Sequence, residues 1–292
     1  MMGKAVCFSM CLFLLTGAVS WGQGQGDLRR DRSSSDEAWT AMDRAFDVQQ
    51  GQQMSLEDEY YLGRAVAASI LSSYRPYTGN PALSRYLNLI CQSIVINSPQ
   101  YATFNGYYVI ILDSQEYNAF ASPGGHILIT KGLVEAAGSE DALAALIAHE
   151  LAHIMLRHAA AIIEHMSLAN EMGVLADRAA AMSGNTPAAR KALEMRSSSA
   201  AIVDTMMKNG YSQAHEFEAD RKALELLSAA GYDPRGLLEI LQVLQRVQPS
   251  QRGGFNSTHP SPSQRIANVN ASIGRASSGQ SRSARDVRFE NQ

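Results

Sequence analysis

The stretch SEDALAALIAHELAHIMLR, from Ser139 to Arg157, decides how this chain folds. Ser139 is a favourable helix N-cap, and Glu140 and Asp141 follow it at the positive end of the helix dipole. From Ala142 onward the stretch is apolar on nearly every side, which is typical of a helix buried through the core. The sequence therefore predicts a central helix, in which each polar residue needs a partner to justify its burial.

That helix carries two histidines four residues apart, in the run His149-Glu150-Leu151-Ala152-His153. The spacing places both imidazoles on one face, about 6 Å apart at Cβ, close enough to bind one zinc ion. Glu150 projects beside the metal, where it can take a proton from the attacking water and later donate it to the leaving amine. The alternative, histidines satisfied by carbonyls in a core helix, is disfavoured because burying these three side chains is costly without a partner that uses them.

A catalytic zinc ion needs a third protein ligand. One zincin class takes a histidine ten residues after the first, but Ala159 occupies that position; His158 misses it by one residue and is predicted to be a polar residue at the helix end. The other class takes a glutamate from a later helix and an aspartate four residues on, which Glu216 and Asp220 match. Glu216 would reach the metal and Asp220 would accept a hydrogen bond from a ligand histidine. Glu218 points about 200° away and is predicted to be a solvated charge.

His259 is a candidate for a further role in the same site. Prolines and small residues around it end any helix and predict a loop able to reach the cleft. His259 would donate a hydrogen bond to the oxyanion formed during peptide hydrolysis, or would occupy the open zinc position and hold the enzyme latent. An exposed loop histidine is the remaining alternative. Arg265, six residues further on, would anchor the loop or assist catalysis.

The elements around the central helix predict a mainly helical α+β domain with a small sheet. The strand-forming runs are 107–112, 118–121 and 126–130, and the last two form a hairpin around Pro123-Gly124-Gly125. The strand over 126–130 is predicted to be a sheet edge to which a substrate adds as a further strand. Further helices are predicted over 55–74, 81–96, 166–207 and 212–231, and another opens at Asp233-Pro234.

The composition is that of a folded globular protein. The chain has 292 residues, of which 46% are hydrophobic and 18% charged, with a formal net charge of −3. This near-neutral balance argues against nucleic-acid binding that depends on a large positive net charge. Cys91 is the only cysteine after residue 22, so the remaining chain cannot form an internal disulfide, and Cys91 itself is predicted to be a buried, inert thiol.

The N-terminus predicts export. Residues 1–22 combine the basic Lys4, an apolar run and a small-residue end, which indicates a signal peptide; an uncleaved anchor is the alternative. Residues 23–53 are a polar lead-in, 54–274 form the predicted zinc metalloprotease domain, and 275–292 are a Ser- and Arg-rich tail predicted to be disordered. Export without disulfides favours the bacterial periplasm.

Three motifs together resemble the zinc endopeptidase family of the CAAX prenyl proteases and HtpX, and within it the soluble, periplasmic, BepA-like branch. They are the run 149–153, the run Glu216-Phe217-Glu218-Ala219-Asp220, and Ser257-Thr258-His259-Pro260 with Arg265. The runs 59–64, 118–121 and 123–125 add to the resemblance, which covers residues 55–272. It implies a zincin-like, gluzincin-type fold with one zinc ion per chain.

The resulting prediction is a zinc-dependent endopeptidase that hydrolyses protein or peptide substrates in periplasmic protein quality control. His149, His153 and Glu216 would hold zinc, with Glu150 as general base and acid. The partners would be substrates, without nucleic acid, and peripheral association with envelope proteins or the membrane is compatible with this. No transmembrane helix is predicted, so membrane-embedded processing of prenylated substrates is not expected. The alternative is a chaperone or assembly factor for envelope proteins with a dormant or latent metal site.

Overall fold

The computed structural model describes residues 55–98, 103–162, 210–247, 259, 262–273 and 283–292. The predicted signal peptide, the polar lead-in and the helix predicted over 166–207 lie outside these residues. The mainly helical α+β architecture with a small sheet is confirmed. In chain order the elements are α1 Leu56–Ser73, α2 Pro81–Ile96, β1 Tyr108–Leu112, β2 Ala119–Ser122, a 3-10 turn Pro123–Gly125, β3 His126–Thr130, α3 Lys131–Ala136, α4 Glu140–Met155, α5 Gln213–Ala229, α6 Gly236–Val247, α7 Pro262–Ile273 and α8 Ser283–Glu290.

The sheet has three strands in the described part of the chain, in the order β1-β3-β2. β3 pairs in parallel with β1, with Tyr108 opposite His126, and antiparallel with β2, with Ser122 opposite His126. The predicted hairpin around Pro123-Gly124-Gly125 is therefore confirmed. The prediction that β3 is a sheet edge is wrong, because β3 lies between β1 and β2 and pairs with both. β2 is the edge strand of this hairpin.

Alternate residues of the strands enter two different cores, as the period of two requires. Ile127 and Ile129 of β3 join the main core, which is built around α4, whereas Leu128 faces the smaller core under α1. Cys91 of α2 is fully buried in the main core. Burial raises the pKa of its thiol to about 12, which agrees with the predicted buried thiol.

Helix α4 begins and ends at well-defined signals. The hydroxyl of Ser139 accepts a hydrogen bond from the backbone N–H of Ala142 at 3.1 Å, as expected for an N-cap. At the other end, Arg157 adopts a positive φ of 58°, which interrupts the helix. The Arg157 Nε lies 2.9 Å from Glu59 Oε2 of α1. Residues 158–162 are helical again.

Helix α1 packs closely against the 3-10 turn that joins β2 to β3. A side chain at Gly63 would overlap the carbonyl of Pro123, and Gly124 has a φ of +71° that favours glycine. The Ser122 hydroxyl donates to the Gly63 carbonyl at 2.7 Å. These contacts set the position of the edge strand β2 relative to α1.

The prediction of a disordered tail over 275–292 is wrong for α8, Ser283–Glu290. Arg288 donates to both carboxylate oxygens of Glu140, at 3.0 and 2.6 Å. Arg285 Nε lies 3.0 Å from Asp141 Oδ1. Both acidic residues are buried in the first turn of α4, so α8 supplies the positive charges that their burial requires.

Candidate metal centre

Four side chains that can bind a metal ion meet between α4, α5 and residue 259. His149, His153, Glu216 and His259 each offer a ligand atom, and these atoms lie within 4.8 Å of one another. All four residues are buried. Helices α4 and α5 therefore bring together the two histidines and the glutamate that the spacing in the sequence singles out.

The ring nitrogens and carboxylate oxygens of the cluster converge on one point. His149 Nε2 lies 3.1 Å from His153 Nε2 and 3.4 Å from Glu216 Oε2. His153 Nε2 lies 3.3 Å from Glu216 Oε1. Glu216 is in the first turn of α5, whose N-cap is Ser212, so the helix dipole favours its negative charge.

Asp220, one turn beyond Glu216, lies behind His149. Its Oδ1 is 3.1 Å from His149 Nδ1, on the opposite side of the imidazole from Nε2. Arg265, on α7, donates to both oxygens of Asp220 at 2.9 and 2.6 Å, and its Nη1 lies 3.0 Å from Glu216 Oε2. Arg265 thus binds the two carboxylates together; its predicted roles, anchoring the loop of His259 or assisting catalysis, stay predictions.

His259 is buried, with 2% of its surface exposed, so the exposed-loop alternative is wrong. Its Nδ1 lies 2.7 Å from Glu216 Oε1, and its Nε2 lies 3.8 Å from Glu150 Oε1. The imidazole of this fourth cluster residue therefore lies between Glu216 and the neighbouring Glu150.

The residues at this centre fit a divalent cation. Neither carboxylate oxygen of Glu150 has a hydrogen-bond partner among the described residues, although both are buried. Glu150, Glu216 and Asp220 bring three carboxylates to the centre and Arg265 one guanidinium. With neutral histidines the formal charge is −2, which is costly to bury and which a divalent ion neutralises. Two imidazoles and a carboxylate are donors that zinc accepts.

Metal ligands must be deprotonated to bind an ion. Burial and Arg265 lower the pKa of His149, but its hydrogen bonds to Asp220 and Glu216 outweigh them and raise that pKa to about 9, so a metal ion must displace a proton from His149. Burial holds the pKa of His153 well below its usual range. Burial raises the pKa of Glu216, but His259 and Arg265 outweigh it and hold that pKa well below its ordinary value. Burial raises the pKa of Glu150, as expected for a carboxylate that must carry a proton during a reaction cycle.

Two residues in contact with the cluster were not assigned to it from the sequence. His158 is buried, and its Nδ1 lies 2.9 Å from His153 Nδ1. The Tyr211 ring stacks on His153, with centroids 3.9 Å apart, and its hydroxyl donates to the carbonyl of Ala121 on β2 at 3.4 Å. A further histidine five residues after His153 was a visible signal for His158, whereas a single tyrosine before a helix N-cap gives no such signal for Tyr211.

Comparison with known proteins identifies the family. The fold and the cluster are those of a metallopeptidase-type domain, and residues 81–273 match the model of Peptidase family M48. The chain therefore belongs to peptidase family M48. The family resemblance drawn from the motifs is confirmed. Among the described residues, no helix has both the length and the apolar character needed to cross a membrane.

Similar proteins are found in bacteria and in a yeast. The chain is 30% identical to a "Beta-barrel assembly-enhancing protease" of Yersinia pestis over 88% of this chain and 50% of that protein. It is 28% identical to the Escherichia coli (strain K12) protein of the same name, over 75% and 43%. It is 30% identical to the "Mitochondrial metalloendopeptidase OMA1" of Schizosaccharomyces pombe, over 52% and 42%. The chain thus spans about half the length of the relatives it matches.

Proposed function

We propose that this chain is a zinc-dependent endopeptidase of the gluzincin type that cleaves protein substrates. In this proposal His149, His153 and Glu216 hold the zinc ion, Glu150 is the general base and acid, and Asp220 orients His149. The observation that carries the proposal is the convergence of the three ligand atoms beside a buried carboxylate, Glu150, that has no hydrogen-bond partner in the described part of the chain.

Each residue then has a chemical task. Zinc, when bound, acidifies water and polarises the carbonyl that is attacked. Glu150, with its raised pKa, accepts a proton from the attacking water and passes it to the leaving amine. Asp220 and Arg265 hold His149 and Glu216 in place, as hydrogen-bonded groups behind metal ligands do. Arg265 is therefore proposed as a positioning residue, since its guanidinium is engaged with Asp220 and Glu216.

Substrate would bind as an extended chain along β2. β2 is the edge strand of the hairpin, and strand addition uses backbone hydrogen bonds that any peptide can make. The hydroxyl of Tyr211 reaches the Ala121 carbonyl on β2 while its ring stacks on His153. Tyr211 thus links this edge directly to the cluster, and a peptide on β2 would lie beside it.

The biological setting is proposed as quality control of envelope proteins in the periplasm. The apolar start of the chain supports export, and relatives named for enhancing β-barrel assembly support protein substrates in the envelope. Recognition of a substrate through backbone hydrogen bonds along a strand gives little sequence preference, which suits the removal of misfolded proteins.

A second candidate is a chaperone or assembly factor whose metal site is latent. The position of His259 favours it, because its Nδ1 contacts Glu216 and its ring is buried against the cluster. A histidine at this position closes the site to substrate, and the chain would then bind clients without cutting them. The same contact agrees with a protease that is switched on when His259 moves.

The proposal is tested by Glu150→Gln, assayed on casein in the wild-type and in the His259→Ala background. Zinc content and fold are expected to stay unchanged, because Glu150 is not a ligand in this proposal. Cleavage is expected to fall about 100- to 10,000-fold, since proton transfer is removed. Zinc is quantified by mass spectrometry and cleavage by release of labelled peptides.

Glu135→Gln is the matched control, because Glu135 is a solvent-exposed glutamate of α3 paired with Lys131. It is expected to cleave casein like the wild type. Full activity of Glu150→Gln would exclude Glu150 from the reaction. Zinc-loaded protein that cuts nothing in either background, yet suppresses aggregation of unfolded clients, would support the assembly factor instead.

A further inference from the structure

His158 reaches the metal ligand His153 only because the helix is broken between them. On an uninterrupted helix a residue five positions on would point about 140° away. Arg157, with a φ of 58°, turns the chain, and Glu59 of α1 lies 2.9 Å from its Nε. The His158 Nδ1 consequently lies 2.9 Å from the His153 Nδ1.

The pairing of the two Nδ1 atoms permits one arrangement of protons when a metal is bound. His153 directs Nε2 at the cluster, so that nitrogen must be unprotonated to ligate, and its proton is on Nδ1. The Nδ1–H of His153 then donates to the Nδ1 of His158, which must be unprotonated. His158 accordingly carries its proton on Nε2, which lies 3.5 Å from Glu218 Oε2.

The series His153, His158 and Glu218 corresponds to the contact that holds the other ligand histidine, His149. His149 has Asp220 at its Nδ1, 3.1 Å away, while His153 has His158. The His158 ring is buried and stacks on His215, with centroids 4.4 Å apart, which fixes its plane. Glu218 is half exposed, and its Oε2 lies within ion-pair distance of the His158 Nε2 at the surface.

We propose that His158, oriented by Glu218, is a positioning residue that fixes the tautomer and the ring orientation of His153 as a metal ligand. This inference rests on the metal site of the proposed function. Groups that hold the far nitrogen of a ligand histidine typically contribute 10- to 100-fold to metal affinity or activity. His158 is thus part of the metal centre, and Glu218 has a role beyond a solvated charge.

The test measures zinc affinity by competition with a chromophoric chelator. His158→Leu removes the acceptor and is expected to weaken zinc binding about 10- to 100-fold. His158→Asn is expected to restore most of the affinity, because its side-chain oxygen can accept at the position of Nδ1. His126→Leu, which removes a half-buried histidine at the start of β3, is the matched control and is expected to bind zinc like the wild type.

A second measurement does not depend on any variant folding. Nitrogen-15 NMR of the zinc-loaded wild type, labelled at histidine, is expected to show neutral His158 with its proton on Nε2 and His153 with its proton on Nδ1. Unchanged zinc affinity in His158→Leu, or a His158 proton on Nδ1, overturns the inference and leaves the proposed function standing. A wild type that binds no zinc overturns both the inference and the proposed function. Glu216→Ala, which removes a proposed ligand, shows how large the loss of zinc affinity is when a ligand itself is missing.

Discussion

At the residue scale, His259 lies between two glutamates of the candidate metal centre. Its Nδ1 lies 2.7 Å from Glu216 Oε1 and its Nε2 lies 3.8 Å from Glu150 Oε1. In the proposal of a latent site, a substrate carbonyl that approaches Glu150 takes the space of this ring, so His259 moves before peptide reaches the reacting groups.

His259→Ala is expected to raise casein turnover and self-cleavage roughly 10- to 100-fold, on the estimate that the displaced state is a minor one of about 1–10%. Initial rates at saturating casein, with zinc content measured in parallel, check this. His126→Ala serves as the control for loss of a histidine elsewhere. Lower turnover with zinc retained would assign His259 to oxyanion stabilisation instead.

Local spacing predicts only part of this site. The pairs His149 with His153 and Glu216 with Asp220 are four residues apart, so helical geometry alone brings each pair to one face. The position of His158 does not follow from helical spacing, because the positive φ of Arg157 directs its ring toward His153. No residue pattern in the sequence predicts that turn. The position of His259 against Glu216 likewise follows from tertiary packing.

At the element scale, caps and periodicity place most helices and strands. Ser139 and Ser212 begin α4 and α5 as predicted, each accepting a backbone hydrogen bond in the first turn. The role of β3 as the central strand was missed because its pairing with β1 is not local. Helix α8 was missed for a similar reason: its Ser- and Arg-rich sequence finds its acidic partners about 145 residues away on α4.

Arg285→Ala is expected to lower the free energy of unfolding by about 3 kcal/mol, because it leaves Asp141 buried without the cation beside it. Arg285 Nε lies 3.0 Å from Asp141 Oδ1, and the exposed fractions of the two side chains are 8% and 1%. Urea unfolding followed by circular dichroism measures the change.

The control for that variant is Asp286→Ala, an exposed position on the same helix, for which a change within about 0.5 kcal/mol is expected. Adding Asp141→Asn to Arg285→Ala should recover part of the loss, since it removes the unpaired charge. Equal stability of wild type and Arg285→Ala would mean that α8 does not stabilise the start of α4.

At the scale of the whole molecule, the metal centre joins parts of the chain that are far apart in sequence. Helix α4 provides His149 and His153, α5 provides Glu216, and α7 provides Arg265, which holds Glu216 from behind. An ion that binds only this arrangement stabilises the folded state over the unfolded one.

Zinc is therefore expected to raise the thermal midpoint well above that of the chelator-treated protein. At a free zinc concentration 1,000 times the dissociation constant, the stabilisation is about 4 kcal/mol, or about 10 °C for a chain of this size. Differential scanning calorimetry with zinc, with magnesium and with EDTA measures it. Glu150→Gln should keep the zinc-dependent rise of the midpoint, and Glu216→Ala should lose most of it. Of these two glutamates, only Glu216 is a proposed zinc ligand. A wild-type midpoint that is the same with zinc and with EDTA would contradict a zinc ion bound by α4 and α5.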